Sequence, residues 1–378
     1  MKFIYIVNAR IPTEKAHGWQ ICKMCEEFSN LGADVELFAA KRNNPIKDDL
    51  YNFYGVKNNF NFREIECGNF LNCEKWIGKY GFYLQSLSFL QKLLCLKIDK
   101  SAIIYSRNPE IIWLFSLRGF KTFYDAHSWP ENKNRFFSLF LKNANGIVCN
   151  SQGTSLEYRK HGFKNILTVS NAVDIENFFV KEKKDNLKNK FNLPMNKKLA
   201  IYIGNLFKWK GIAVLIEAAA KIKNEDIAFV IIGGNEDDLN KYKNRALELK
   251  LKNIKFFPFQ RRNLVPMFLK CADVLLLPNL SDTKESVNYT SPIKMFEYMA
   301  SQKPIIASDL PSIREILNDS NCLFVEPGNA DDLIEKLNLI MADYNLARKL
   351  ASHAYEDVKN CAWNKRAEKI IKFINNSQ

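Results

Sequence analysis

The segment from Tyr289 to Leu317 holds the residues of this chain whose types and spacing best suit a phosphorylated ligand. A polar loop containing Thr290 and Ser291 opens a predicted helix, and Glu297 lies further along that helix. The free N–H groups and partial positive charge of a helix start suit a phosphate. A carboxylate accepts hydrogen bonds from hydroxyl groups. The segment therefore predicts a site for a nucleotide that is linked to a sugar through phosphate.

A second candidate segment follows the predicted strand Leu199–Ile203. Gly204 allows the backbone to turn sharply at the strand end, and Lys210 brings an ammonium group to the start of the next helix. The helix dipole disfavours a cation at that position, so a role in binding an anion is favoured over a surface lysine. Gly233 and Gly234 end another predicted strand, although a glycine pair alone indicates only a turn.

Two residues of the first half are further candidates because they lie beside predicted strand and helix ends. Gly18 stands at a predicted helix start, which suits a phosphate, with an ordinary helix cap as the alternative. His127 lies in the segment Asp125–Glu131 after a buried strand. Strand ends of parallel sheets face ligands, and the alternative for His127 is a structural hydrogen bond.

The elements that would position these residues alternate between strand and helix in both halves of the chain. This alternation predicts parallel sheets that are covered on both faces. The predicted strands are Phe3–Val7, Val35–Ala39, Ile103–Tyr105, Phe123–Tyr124 and Ile147–Cys149, then Leu199–Ile203, Phe229–Ile232, Ile254–Phe257, Val274–Leu277, Ile305–Ala307 and Leu323–Val325. A predicted helix over Gly18–Leu31, ended by Gly32, places the C-x-x-C pair of Cys22 and Cys25 in a core rather than in a metal or redox site.

A Lys- and Asn-rich stretch, Lys181–Lys198, separates the two alternating patterns. At 378 residues the chain has the length of two domains. We expect a first domain over residues 1–178, a second over 179–361, and a final helix over 362–378. Each domain would be Rossmann-like, and the two would face a cleft in which ligands bind at the carboxyl ends of the strands.

Composition narrows the choice of partners. The net charge of +14 favours anionic ligands, but no basic block or recognition motif indicates nucleic acid. Nine Cys at irregular positions and the absence of a signal peptide pattern favour reduced thiols and a cytoplasmic protein.

The aromatic and Leu-rich segment Lys75–Lys97 is typical of either a core helix or a helix lying on a membrane surface. The second alternative would give peripheral association with the inner membrane face.

These segments resemble the motifs of family-four retaining glycosyltransferases (glycosyl transferases group 1), which have the GT-B fold. The family pattern Glu, seven residues, Glu is matched by Glu297 at its second position, whereas Tyr289 occupies the first. The family loop Gly-Arg, four residues, Lys-Gly is matched by Gly204 and Lys210, whereas Asn205 occupies the Arg position.

The resemblance implies a hexosyl-type enzyme that transfers a sugar, with retention, from a nucleotide diphosphate sugar to a cell-surface glycan or lipid-linked acceptor. It implies that His127 and Lys210 are catalytic. It also implies that the donor is bound by Gly18, Gly204, Asn205, Lys210, Gly233, Gly234, Tyr289, Thr290, Ser291 and Glu297. No cofactor or metal is expected, since protein cations would stabilise the leaving diphosphate, and the acidic pair Asp237–Asp238 is interpreted as a helix cap. The final helix is implied to return to the first domain.

Alternatives remain on the same scaffold. The Asn205 and Tyr289 departures keep open the alternative of a non-catalytic protein that binds nucleotide sugars. A nucleotide-sugar epimerase would consume the donor without an acceptor, and a phosphorylase would depend on phosphate. The sequence does not indicate the sugar, the base, the acceptor, the linkage or the oligomeric state.

Overall fold

The computed structural model describes residues 1–68, 70, 80–130 and 134–377. The chain forms two compact units. The first comprises Met1–Asn150, Thr154–Val169 and Trp363–Gln378, and the second comprises Ser151–Gly153 and Ser170–Ala362. The main passage between the units thus falls at Val169 and Ser170, a few residues before the predicted boundary at residue 178.

The first unit is built on a seven-stranded parallel sheet of order β3-β2-β1-β4-β5-β6-β7. Its strands are β1 (Lys2–Val7), β2 (Asp34–Ala40), β3 (Asn61–Ile65), β4 (Ile103–Ser106), β5 (Lys121–Ala126), β6 (Gly146–Cys149) and β7 (Ile166–Thr168). Its described helices are α1 (Ala16–Asn30), α2 (Leu50–Tyr54), α3 (Tyr80–Leu94), α4 (Pro109–Leu117), α5 (Asn134–Leu141) and α6 (Gln152–Lys160). Cys22 and Cys25 lie buried in α1, as predicted for a core helix.

The second unit is built on a six-stranded parallel sheet of order β10-β9-β8-β11-β12-β13. Its strands are β8 (Lys198–Ile203), β9 (Ile227–Ile232), β10 (Ile254–Phe257), β11 (Val274–Leu277), β12 (Ile305–Ser308) and β13 (Leu323–Val325). Its described helices are α7 (Lys184–Lys190), α8 (Ile212–Lys221), α9 (Glu236–Glu248), α10 (Val265–Cys271), α11 (Ile293–Ala300), α12 (Pro311–Arg314), α13 (Ala330–Ala342) and α14 (Tyr344–Val358). The predicted fold of two Rossmann-like parallel-sheet domains is confirmed.

The pattern of β8 shows why its sequence is apolar throughout. Leu199, Ile201 and Ile203 belong to the core on one face of the sheet, while Ala200 and Tyr202 belong to the core on the other face. Side chains alternate across a strand, so a strand that is covered on both faces buries every residue. The Tyr202 hydroxyl donates a hydrogen bond to the carbonyl of Asn205, which follows the strand.

Both sheets have the same connectivity around their first strand. The chain runs outward from β1 to β2 and β3, then crosses to the other side of β1 as β4, and the second sheet repeats this at β8 and β11. Ligands of such folds bind beyond the carboxyl ends of the strands where the strand order reverses. The expected binding positions are therefore the loops after β1 and β4 in the first unit, and after β8 and β11 in the second.

The last helix, α15 (Trp363–Asn376), belongs to the first unit. Trp363 is fully buried and its ring meets that of Trp19 edge to face at 5.4 Å. Phe373 packs against Phe123 of β5 with ring centroids 5.9 Å apart. These contacts join α15 to α1 and β5, so the first unit is built from segments that lie on both sides of the second unit in sequence.

Candidate functional site

In the second unit, the chain segments after β8 and β9 touch through their glycines. Gly204 and Gly233 have φ values of +148° and +117°, which L side chains rarely adopt. A Cβ placed on Gly233 would lie 2.3 Å from the carbonyl oxygen of Gly204. One on Gly234 would lie 2.6 Å from the Leu206 side chain. The glycine pair therefore allows the two backbone segments to approach each other, and it keeps the Gly204 peptide in place.

Lys210 lies at the predicted switch point between β8 and β11. The next residue, Gly211, has φ +75°, and a Cβ there would lie 1.7 Å from the carbonyl oxygen of Pro278, which follows β11. Lys210 is buried, with its ammonium 3.5 Å from the centroid of the Trp209 ring. Burial lowers the pKa of Lys210 to about 7, and Glu285 only partly opposes this shift.

Lys294 on α11 is a second buried lysine at the same place. Its ammonium lies 3.7 Å from the centroid of the Tyr202 ring, and 3.3 Å from the position that a Cβ on Gly204 would occupy. Burial, reinforced by the positive charge of Lys210, lowers the pKa of Lys294 well below the usual value. Within the described part of the chain, the Lys294 Nζ has no hydrogen-bond partner.

Glu297, the predicted ligand for ribose hydroxyls, lies buried on the same helix one turn after Lys294. Arg262 donates a hydrogen bond from Nη2 to Oε1 of Glu297. A carboxylate has several acceptor positions, so this ion pair orients Glu297 while leaving it able to accept bonds from a ligand. Arg262 was not identified from the sequence, because its pairing with Glu297 joins positions that no short motif links.

The loop before α11 differs in detail from the prediction. Its backbone first forms a short π-helical turn over Glu285–Tyr289, and α11 begins only at Ile293. The Thr290 N–H donates to the carbonyl of Glu285 at 2.9 Å, so the expected free N–H at Thr290 is already used. The Ser291 hydroxyl accepts a bond from the Asn171 N–H at 3.2 Å. Both positions remain candidates through their side chains or neighbouring backbone.

Two residues at which this chain departs from the family pattern have contrasting surroundings. Asn205 is exposed, and its carbonyl accepts a 2.6 Å hydrogen bond from the Tyr202 hydroxyl. Tyr289 is buried, and its carbonyl accepts a bond from the Ser151 hydroxyl at 3.1 Å. The backbone of each residue thus serves the local structure, and neither position supplies a charged side chain.

In the first unit, a charged network surrounds Asp125 at the end of β5. The Tyr5 hydroxyl and the Arg107 Nε each donate to Asp125 Oδ2, at 2.9 and 2.8 Å. His127 Nε2 lies 3.2 Å from the same oxygen, and Arg366 of α15 approaches the other oxygen at 3.6 Å. Burial alone would raise the pKa of Asp125, but Arg107 and its neighbours hold it well below the usual value. The carboxylate is therefore an acceptor for several donors.

The histidines near this network are held neutral. Burial, reinforced by Arg107, lowers the pKa values of His17 and His127 to about 4. Because ionised Asp125 can only accept, a neutral His127 donates from Nε2, which leaves Nδ1 able to accept a bond from a hydroxyl group. Arg107 is a candidate that the sequence analysis missed, since its partners Tyr5 and Asp125 are distant in sequence.

Gly18 has a structural explanation that does not involve a ligand. It lies inside α1, which begins at Ala16 rather than at the predicted Gly18. A Cβ on Gly18 would lie 2.2 Å from the Tyr54 hydroxyl, and its N–H donates to the carbonyl of Lys15 at 3.1 Å. Close packing against Tyr54 therefore requires glycine at this position.

The acidic residues are the next feature, because some of them could in principle hold a metal ion. Within residues 1–68, 70, 80–130 and 134–377, no group of three or more His, Cys, Asp or Glu side chains is arranged to hold a metal ion. The cap of α9 is Asn235, which accepts from the Asp238 N–H at 2.7 Å, so the cap lies two residues before the predicted pair Asp237–Asp238. The two acids instead occupy the first helical turn, where they complement the helix dipole.

Comparison with known proteins identifies relatives of this chain. It is 24% identical over 193 residues to a Methanocaldococcus jannaschii glycosyltransferase, MJ1607, covering 50% of this chain and 48% of that protein. It is 26% identical over 301 residues to the N,N'-diacetylbacillosaminyl-diphospho-undecaprenol alpha-1,3-N-acetylgalactosaminyltransferase of Campylobacter jejuni, covering 76% of both chains. The match thus spans about half of the first relative and three quarters of the second.

Solved structures share the whole fold. The structure of HepE from Anabaena in complex with UDP and glucose superposes with a TM-score of 0.76 at 16% identity, covering 99% of both chains. Residues 183–357, which include Lys210, Lys294 and Glu297, match the family model described as glycosyl transferases group 1. This segment, in the second unit, thus resembles the glycosyl transferases of group 1, and the two-domain fold is shared with the HepE structure.

Proposed function

We propose that this chain transfers a sugar from a nucleotide diphosphate sugar to a glycan or lipid-linked acceptor, with retention at the anomeric carbon. The observation that carries the proposal is the buried, incompletely neutralised Lys210 at the switch point of the second unit, which matches the group 1 family model. A buried ammonium is costly unless an anion accompanies it, and the diphosphate of the donor supplies that anion.

We assign a separate role in donor binding to each of several residues in the second unit. Gly204 and Gly233 bring backbone close to the ligand, as glycines do in phosphate-binding loops. Lys210 stabilises the negative charge that develops on the leaving diphosphate, which is the electrostatic form of catalysis. Glu297, oriented by Arg262, accepts hydrogen bonds from the ribose hydroxyls. Since protein cations stabilise the leaving diphosphate, we propose that transfer needs no metal.

The acceptor proposal draws on the relatives. The Campylobacter jejuni relative is an N-acetylgalactosaminyltransferase named for N,N'-diacetylbacillosaminyl-diphospho-undecaprenol. In this chain, His127 of the first unit is proposed to contact the transferred sugar, because its Nδ1 can accept a bond from a sugar hydroxyl while Asp125 holds Nε2.

A thermal-shift panel tests the donor assignment directly. The panel contains UDP-, GDP- and ADP-sugars and their free nucleotides. We expect the ligands of one base to raise the melting temperature of the protein, and to raise it by the same amount with and without a chelator. Stabilisation follows from binding to the folded state alone. If no nucleotide stabilises the protein, the donor site is wrong. If one does so and no acceptor is ever glycosylated, the chain is a nucleotide-sugar-binding protein, and consumption of the donor without an acceptor indicates an epimerase.

Substitution in the second unit tests the assigned roles. We predict that Lys210→Ala and Glu297→Ala each lower the rate of sugar transfer about ten-fold or more, which corresponds to about 1.4 kcal/mol. Lys223→Ala is the matched control, because Lys223 is exposed and precedes β9 at the amino end of the sheet. Circular dichroism should show the same fold in all three variants. Unchanged transfer rates in both site variants would contradict the assignment.

A further inference from the structure

Lys294 is the buried cation that the proposed roles leave unexplained. It retains only 9% exposure, and its Nζ makes no hydrogen bond within the described part of the chain. Lysine is almost never buried without a partner, because removing its charge from water is costly. The contact with the Tyr202 ring at 3.7 Å offsets only part of that cost.

The neighbours of Lys294 add positive charge. Lys210 is close enough to lower the pKa of Lys294, and the Glu297 carboxylate, which opposes that shift, is already paired with Arg262. The three cations Lys210, Lys294 and Arg262 therefore face two carboxylates, Glu297 and Glu285. Such an excess of positive charge is complemented by an anion with more than one negative oxygen.

The position of Lys294 indicates which part of a ligand it would meet. Its ammonium lies 3.3 Å from the position that a Cβ on Gly204 would occupy. Because Gly204 has no side chain, the Lys294 ammonium can lie directly beside the Gly204 backbone. Gly204 ends β8 at the switch point where ligands of this fold bind. Asn205 and Lys208 of the same loop are both exposed, whereas Lys294 is buried beside the Gly204 backbone.

We propose that Lys294 is a second phosphate-binding cation of the donor site, and that it acts with Lys210 to hold the diphosphate group of the donor. This inference rests on the proposed function and assigns a ligand contact to a residue outside the loop after β8. The chemistry it recognises is the diphosphate, not the base or the sugar.

Binding measurements with Lys294→Met test this role, since methionine keeps much of the length and apolar surface of lysine. Isothermal titration of the wild type with UDP, GDP and ADP first identifies the base that binds. The nucleoside diphosphate, the monophosphate and the nucleoside of that base are then titrated into each variant. We expect Lys294→Met to weaken diphosphate binding by about ten-fold or more, and nucleoside binding by less than about three-fold.

Lys208→Met is the matched control, because Lys208 lies in the loop after β8 and is exposed. We expect it to change diphosphate binding by less than about three-fold. We also expect Asn205→Arg, added to Lys294→Met, to restore part of the lost diphosphate affinity by supplying a cation from the loop. Melting curves without nucleotide show whether each variant is folded.

Each outcome decides between the two proposals. Selective loss of diphosphate affinity in Lys294→Met supports the inference. Unchanged affinity, or an equal loss for diphosphate and nucleoside, overturns it and makes Lys294 a structural residue, while the proposed function stands. A wild type that binds none of the three nucleoside diphosphates overturns the proposed function and this inference together.

Discussion

At the scale of single residues, the main feature of the candidate site is the cost of keeping lysine buried. Lys210 and Lys294 share the environment after β8, and burial lowers the pKa of both. The nearest opposing charge on Lys210 is Glu285, and burial raises the pKa of that carboxyl. Each group is thus shifted toward its neutral form, which a bound diphosphate would reverse for the lysines.

This reasoning predicts that donor binding takes up protons. Free Lys210 has a pKa of about 7, so at pH 8 it is mostly neutral, and a bound diphosphate raises its pKa and recharges it. Proton uptake means that affinity falls as pH rises above 7. Titration with an intact nucleotide sugar, which has no phosphate group titrating near neutrality, should give heats at pH 8 that depend on the ionisation enthalpy of the buffer.

Lys210→Met provides the comparison for that experiment. The variant should take up fewer protons, while Lys294 continues to contribute its share. Buffer-independent heats in the wild type at pH 8 would show that neither lysine changes its charge when the donor binds. The predicted burial effect on Lys210 would then be wrong.

At the scale of elements, the site depends on how closely the segments after β8 and β9 approach each other. Gly233 and Gly328 both adopt positive φ, at +117° and +86°, but their surroundings differ. A Cβ on Gly233 would lie 2.3 Å from a backbone oxygen, whereas one on Gly328 would meet only a Leu280 side-chain atom at 3.8 Å. The pair therefore separates the effect of backbone conformation from the effect of a collision.

We predict that Gly328→Ala lowers the free energy of unfolding by about 1 kcal/mol, because of its conformation alone. Gly233→Ala should lower it by about 1–3 kcal/mol more, and should also weaken nucleotide binding by displacing the Gly204 peptide. Urea unfolding and nucleotide titration measure the two effects. Equal stability and equal affinity in the two variants would show that the β8 and β9 segments adjust without cost.

The central strands of both sheets and the edge strands β10 and β13 of the second sheet were predicted from sequence, whereas the two edge strands of the first sheet, β3 and β7, were not. Strands such as β1 and β8 are buried on both faces, so an unbroken apolar run marks them. In contrast, β3 exposes most of Asn61–Ile65, and β7 is three partly buried residues long. An edge strand needs fewer apolar residues, and pairing with its neighbour, which local sequence does not encode, decides its conformation.

The candidate site divides in the same way. The positions of Gly204, Lys210, Gly233 and Glu297 follow from strand ends and helix starts, which local patterns mark. The charged partners Arg262 and Arg107 do not, because each meets its carboxylate across a long stretch of chain. The burial of Lys294 could not be predicted from local sequence either, because its ammonium lies over the ring of Tyr202, whose strand β8 is far from α11 in sequence.

At the scale of the whole molecule, charge and surface composition bear on where the chain acts. None of the described helices is long and apolar enough to cross a membrane. The predicted interfacial segment Lys75–Lys97 lies partly outside the described residues, which resume at Tyr80 with α3. This helix exposes an apolar face: Tyr80, Leu84 and Leu87 are 75%, 44% and 64% exposed. The net charge of +14 complements an anionic surface.

We therefore propose that α3 contacts an anionic lipid surface, and we predict that the protein sediments with phosphatidylglycerol vesicles at low salt. Leu84→Gln combined with Leu87→Gln should lower the sedimented fraction several-fold, because apolar area and charge attraction act together in such binding. Added salt should weaken binding by screening the charges. The matched control is Leu247→Gln with Leu249→Gln in the second unit, where both leucines are exposed, at 72% and 39%. Equal sedimentation of the two double variants would show that α3 does not form the contact, and a wild type left in the supernatant would show that the chain has no affinity for such a surface.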